Sequence, residues 1–164
     1  MAGQIVNQAQ TDTPGTPVTV LNVNTTSQAT TGTSEEVLAT YTLPANTLSA
    51  NGKAIRVRAW LSHAANTNAS TMRIRFGGVG GTQISAMSSA ASGDAIVLEA
   101  IVIRTGAATQ IANGHSRTHG GSSAVYNSAP TQTLSGGVAL VVTGLTAVSA
   151  GDVTFLGMLV EALN

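Results

Sequence analysis

The sequence contains no cysteine. Disulfide staples and thiolate metal sites are therefore both excluded. Charge is nearly as scarce: Lys, Arg, Asp and Glu make up 9% of the 164 residues, against roughly 25% in an ordinary soluble domain. Seven basic and seven acidic side chains cancel, so no net field draws the chain toward nucleic acid or an anionic membrane. Aromatic residues amount to 3%, namely Trp60, Tyr41, Tyr126, Phe76 and Phe155. The core must then be aliphatic, and the surface must be built from Ser, Thr, Asn, Gln, Ala and Gly. No apolar run reaches the ~18 residues that a membrane-spanning helix needs. The opening "MAGQIVNQAQ" lacks the basic start and apolar stretch of a secretory signal, so synthesis in a cytoplasm is expected.

What is present is a succession of β-branched, alternating segments between turns. Residues 1–33 are rich in Thr, Gln, Asn, Gly and Pro and read as an extended N-terminal arm ahead of a single domain over 34–164. Within the arm, "PVTVLNVN" is a candidate strand. Ile5, Val6, Val18 and Val20 are its candidate contacts with a neighbouring subunit; a loose terminus is the alternative. Further strands are expected at 35–43, 54–64, 71–78 and 95–105, after a Gly-rich bend within 79–87, and at 137–145 and 153–163. Weak ones are expected near 109–112 and 123–126. Asn51-Gly52 marks a tight turn. No segment carries a helical period with caps. Short, regularly spaced strands without βαβ alternation predict an all-β fold, an antiparallel sandwich of jelly-roll type.

The most unusual local pattern is "AIRVRAW" followed by "TMRIRF". Alternation places Arg56, Arg58 and Trp60 on one face of the first strand and Arg73 and Arg75 on one face of the second. The short polar loop between them predicts a hairpin, with four of the six arginines on one sheet face. Like charges side by side on a sheet are unfavourable, so the cluster needs carboxylates. Glu99 and Glu161, mid-strand in apolar runs, are the candidate salt-bridge partners. Three roles stay open for this ladder: a network within one chain, a subunit interface, or an anion site. Arginine is well suited to interface ion pairs, and Trp60 suits an interface anchor or a sugar platform.

Residues 33–78, "TSEEVLATYTLPANTLSANGKAIRVRAWLSHAANTNASTMRIRFGG", resemble a segment that recurs in structural proteins of tailed bacteriophages and prophages. There, an "LPANTLSANG"-like turn leads into an alternating strand, an Ala-Ala-Asn loop and a strand ending in "FGG". The loop here, "AANTNASTM", has no lysine, a minor departure. The resemblance implies a β-sandwich virion protein. That family includes capsid decoration proteins as well as tail-fibre, head-fibre and spike modules.

Signals for chemistry are weak. His115 and His119 in "HSRTH" could share a face, but no third metal ligand is evident. "FGGVGGT" lacks the lysine and helix of a phosphate loop and reads as a hairpin turn. No serine sits in a nucleophile elbow and no carboxylates are paired as in glycosidases. Neither an enzyme activity nor a cofactor or metal is expected. A neutral surface with so little charge favours self-association. A permanent assembly would hide it; a well-solvated Ser/Thr surface is the alternative. The expected function is a capsid decoration protein, a homotrimer that contacts the major capsid protein on the virion surface. It would be made in the bacterial cytoplasm, with no nucleic-acid or membrane partner. The alternative is a fibre or spike module that binds a host-surface glycan, with its pocket in the loop 113–126.

Overall fold

The computed structural model describes residues 18–89 and 93–163. Ile5 and Val6 lie outside the described residues. Eleven strands run in chain order: β1 (Thr19–Asn24), β2 (Gln28–Ala29), β3 (Glu36–Leu43), β4 (Ala54–His63), β5 (Ser70–Phe76), β6 (Thr82–Ser89), β7 (Ala95–Gly106), β8 (Thr109–Thr118), β9 (Ser123–Ser128), β10 (Val138–Thr146) and β11 (Val153–Leu163). There is no helix among the described residues, and hence none long and apolar enough to cross a membrane.

The strands make two antiparallel sheets. The larger has the order β1-β11-β4-β7-β8-β9, with β2 also on β11; the smaller has the order β3-β10-β5-β6. Four pairs are nested in sequence: β1 with β11, β3 with β10, β4 with β7, and β5 with β6. A long two-stranded ribbon folded over on itself in this way is a jelly roll. The β8–β9 hairpin extends the larger sheet beyond it.

The core lies between the sheets and follows from period-two alternation. From the larger sheet come Ile55, Val57, Ala59, Leu61, Leu98 and Val160; from the smaller come Met72, Ile74, Phe76, Ile84, Leu140 and Val142, all buried. Both phenylalanines, Phe76 and Phe155, are fully enclosed. At the β6 edge the sheets come close together. Ser116 Oγ donates to the Ala86 carbonyl at 2.6 Å and Ser85 Oγ to the His115 carbonyl at 3.0 Å. Gly114 sits at this crossing, where a Cβ would run into the Ile84 carbonyl oxygen.

Three expectations change. First, β4 and β5 are not a hairpin: β4 pairs with β11 and β7, and β5 with β10 and β6 in the other sheet. Their connection, residues 64–69, crosses between the sheets. It is pinned there by hydrogen bonds from Asn66 and Asn68 to the Asp152 carboxylate, at 2.7 and 2.9 Å. Buried His63 adds to this, with its ring nitrogens 2.9 and 2.8 Å from the carbonyls of Ala64 and Asn68. Second, β1 and β2, within the expected arm, pair with β11 of their own chain. The edge of β11 needs ladder partners, and these residues supply them. Third, residues 113–118 belong to β8, so the expected Gly/His loop is mostly strand.

Candidate interface on the outer face of the larger sheet

Strand register sorts the outer face of the larger sheet into rows that cross the strands. One row runs Val20, Glu161, Arg56, Ile101, Asn113, Asn127 from β1 to β9. The next runs Val23, Leu159, Arg58, Glu99, His115, Val125. A third runs Gly157, Trp60, Val97, Arg117, Ser123. At the opposite end, Leu163, Ala54, Ile103 and Ile111 align.

This face carries many apolar side chains that are not core, set among charged and amide groups. Val20, Val23, Trp60, Ile111 and Val125 are exposed, with Val125 at 70% and Trp60 at 37%. Leu159, Val97, Ile101, Ile103 and Leu163 are half-buried. An antiparallel sheet with one wet face normally alternates apolar and polar residues. Here β7, "AIVLEAIVIR", is apolar on both faces. Between β7 and β9 the face dips into a pocket of about 420 Å³ lined by Ile101, Ile103, Ile111, Ala112, Asn113, Asn127 and Ser128. Asn113 donates to Asn127 Oδ1 at 2.6 Å along its polar side.

Charge crosses the middle of the face as matched pairs. The Arg56 Nη2 lies 2.6 Å from Glu161 Oε2, and its Nε donates to the same oxygen at 2.7 Å. Arg58 pairs in the same two-pronged way with Glu99. His115 Nε2 stands 4.0 Å from the other Glu99 oxygen. Each guanidinium is about one-third exposed while its carboxylate is largely covered. The pairs thus neutralise two buried acids and leave flat cationic edges at the surface.

Arg73 and Arg75 are elsewhere, on the outer face of the smaller sheet. Their carboxylate is Glu35, just before β3. It accepts two hydrogen bonds from Arg75 and one from Thr143, with Arg73 Nη1 at 3.4 Å. Burial alone would raise the Glu35 pKa; the hydrogen bonds of Arg75 and Thr143 and the charges of Arg73 and Arg75 outweigh it and hold the carboxyl below its ordinary value. Asp152 is held below its ordinary value by hydrogen bonds from Asn68 and Asn66, against desolvation, with the charge of His63 adding to the effect. Glu35 is not the expected partner, because the expected β4–β5 hairpin puts Arg73 and Arg75 on the face of Arg56 and Arg58, beside Glu99 and Glu161. The exposed apolar residues of the outer rows are not among the expected contacts, although the long apolar run of β7, interrupted only by Glu99 up to Ile103, carries that signal. Val18 and Val20 are exposed at the β1 edge. His119 is exposed in the β8–β9 turn, and no cluster of three metal-ligating side chains exists among the described residues.

No family model matches the sequence, and no curated protein matches it. Among solved structures the fold is similar to the CBM2 module of the evolved Dit of Lactobacillus casei BL23 phage J-1. The TM-score is 0.40 and the identity 10%, over 76% of this chain and 69% of that one. Peanut lectin in complex with a nine-residue peptide gives a TM-score of 0.41 at 8% identity, over 89% and 90% of the two chains. The infectious bursal disease virus Gx strain gives 0.40 at 11% identity, over 91% of this chain and 33% of that one. The neighbours thus include phage and viral β-sandwiches and a lectin, and at these scores the likeness assigns no ligand or partner.

Proposed function

We propose that this protein is a structural component of a tailed-bacteriophage virion, a decoration protein that self-associates and stabilises the head by binding the major capsid protein. One observation carries the reading: the outer face of the larger sheet exposes valines, isoleucines and Trp60 around matched ion pairs. Apolar sheet faces of this kind mark association surfaces, and arginine and tryptophan are the residues that dominate their energetics. A surface so poor in net charge is tolerated when much of it is permanently covered. The resemblance of residues 33–78 to phage structural proteins supports a phage particle as the setting. On this reading the trimer sits on the capsid surface, after synthesis in the host cytoplasm, and carries no catalytic chemistry or cofactor.

A glycan-binding fibre or spike module is the second reading, favoured by the pocket beside Asn113 and Asn127. Three isoleucines line that pocket, whereas sugar rings stack best on aromatic faces. Trp60 stands in another row, so the decoration reading is the stronger.

Light scattering of the purified protein, alone and mixed with undecorated capsids, followed by sedimentation, tests the proposal. A trimer that pellets with capsids supports it. A stable monomer, or an oligomer that ignores capsids and is retained on a glycan array, overturns it.

A further inference from the structure

We infer that copies of this protein join edge to edge, with β1 of one chain adding antiparallel to β9 of the next, so that the larger sheet continues across the subunit boundary. The inference deepens the reading of the chain as a self-associating subunit and does not depend on which particle it belongs to.

The two edges fit each other in direction, length and row. Successive neighbours along β1-β11-β4-β7-β8-β9 are all antiparallel. With six strands on that path, β9 runs in the same direction as β11. An incoming β1 is therefore antiparallel to β9, as it is to its own β11, and keeps the same face outward. Both strands have six residues. β1 carries an irregularity between Val20 and Asn22, so its step from Val20 to Val23 matches a two-residue step on β11, Glu161 to Leu159. β9 offers the same two-residue step, Asn127 to Val125, in the same two rows. The incoming Val20 meets Asn127, and the incoming Val23 meets Val125. These two valines are 64% and 70% exposed in the single chain. The incoming Val18, which precedes β1, arrives beside Ile111 at the mouth of the isoleucine pocket.

Among the described residues, no strand of the same chain pairs with the outer side of β1 or β9. Free strand edges normally carry charge or proline that blocks further pairing. "TVLNVN" and "SAVYNS" have neither. The edges of the smaller sheet differ: β3 opens on Glu36, directly after Glu35, and β6 lies against β8 through Ser116 and Ser85; Pro17 and Pro130 stand two residues outside β1 and β9 and leave their six residues free of proline. A β1-to-β9 contact uses two different patches, so it is head-to-tail, and it closes into a ring when the rotation between copies permits.

Cysteine pairs test this directly, because the chain has none of its own. Val23→Cys and Val125→Cys are mixed as single variants and oxidised mildly. Within one chain the two positions sit on opposite edges of a six-strand path, about 24 Å apart at the usual strand spacing, far beyond disulfide reach. The expected result is a mixed disulfide dimer, with little product from either variant alone, and a ladder of linked chains from the double variant. Linkage of Val23→Cys to itself would mean symmetric β1–β1 pairing and overturn the inference. So would an oligomer by light scattering that gives no mixed dimer. Val125→Lys supplies a second arm: circular dichroism should show an intact fold, and the concentration at which the oligomer dissociates should rise at least tenfold; undiminished assembly overturns the inference. Failure of the cross-link with retained capsid binding leaves the virion reading standing. Cross-linking without capsid binding removes that reading and keeps the strand pairing.

Discussion

Glu35 accepts two hydrogen bonds from the Arg75 guanidinium, from Nε at 3.0 Å and Nη2 at 3.1 Å, and one from Thr143 Oγ1 at 2.6 Å. Arg73 stands within ion-pair distance of the same carboxylate. One acid therefore serves two cations on the outer face of the smaller sheet. Removing it leaves both guanidiniums without their acid in a partly covered site. Glu35→Ala is expected to cost about 2 kcal/mol, below the full cost of breaking a deeply buried pair because the cluster is partly solvated. Thr143→Val should cost about 1 kcal/mol, one hydrogen bond. Urea denaturation checks both: the midpoint should fall at unchanged slope.

This cluster and the separate one around Asp152 make stability depend on acid. The Glu35 and Asp152 carboxyls are held below their ordinary values of 4.5 and 3.8. The folded chain then binds these protons more weakly than the unfolded chain does. The stabilisation is fully present above the ordinary carboxylate range and drains away as pH falls through it toward the depressed values. Denaturation midpoints measured from pH 7 down to about pH 2.5 should hold level and then drop in that window. Glu35→Gln should have a lower plateau and a shallower acid slope. An unchanged slope in this variant would show that Glu35 does not contribute.

Gly114 tests how tightly the sheets close at the β6 edge. It is buried on β8, and a methyl group there meets the Ile84 backbone, which cannot rotate away. Gly114→Ala is expected to cost about 2 kcal/mol, the usual scale of overpacking. For a domain of this size that lowers the melting temperature by roughly 4–8 °C. Asn113→Ala, one residue away on the exposed face, should shift it far less.

This crossing also explains which parts of the fold were legible in the sequence. Ile55, Val57, Ala59 and Leu61 alternate with Arg56, Arg58 and Trp60 strictly enough to reveal both faces of β4, and the pairing of its arginines with Glu99 and Glu161 follows from their positions in apolar strands. β8 was legible only at its start. Its inward positions are Gln110, Ala112, Gly114, Ser116 and Thr118, small or polar because β6 lies directly over them, and a strand without large apolar residues reads as a loop. The misplaced β4–β5 hairpin has another cause. A short loop fits either a turn within one sheet or a crossing between two, and here Asp152, distant in sequence, decides for the crossing. The β1 segment resembles an arm because residues 1–33 are rich in Thr, Gln, Asn, Gly and Pro, and its strand partner, β11, lies at the far end of the sequence.

Trp60 separates folding from assembly. It lies on β4 between Gly157 of β11 and Val97 of β7, and the space over Gly157 admits its ring: a Cβ there would stand 3.6 Å from the indole. The side chain points away from the core and, at 37% exposure, is covered by neighbours on the outer face, so Trp60→Ala leaves the packing between the sheets in place. The melting temperature should change by no more than a few degrees, in line with about 1 kcal/mol or less for a surface position. Assembly should respond differently. A half-covered tryptophan on an association face is worth about 2 kcal/mol or more there, which is at least a tenfold weaker oligomer. A dilution series followed by light scattering separates the two effects. Loss of the oligomer with the melt preserved assigns Trp60 to the subunit contact. An oligomer that persists at the same dilutions removes Trp60 from that contact and leaves the β1 and β9 edges to carry it alone.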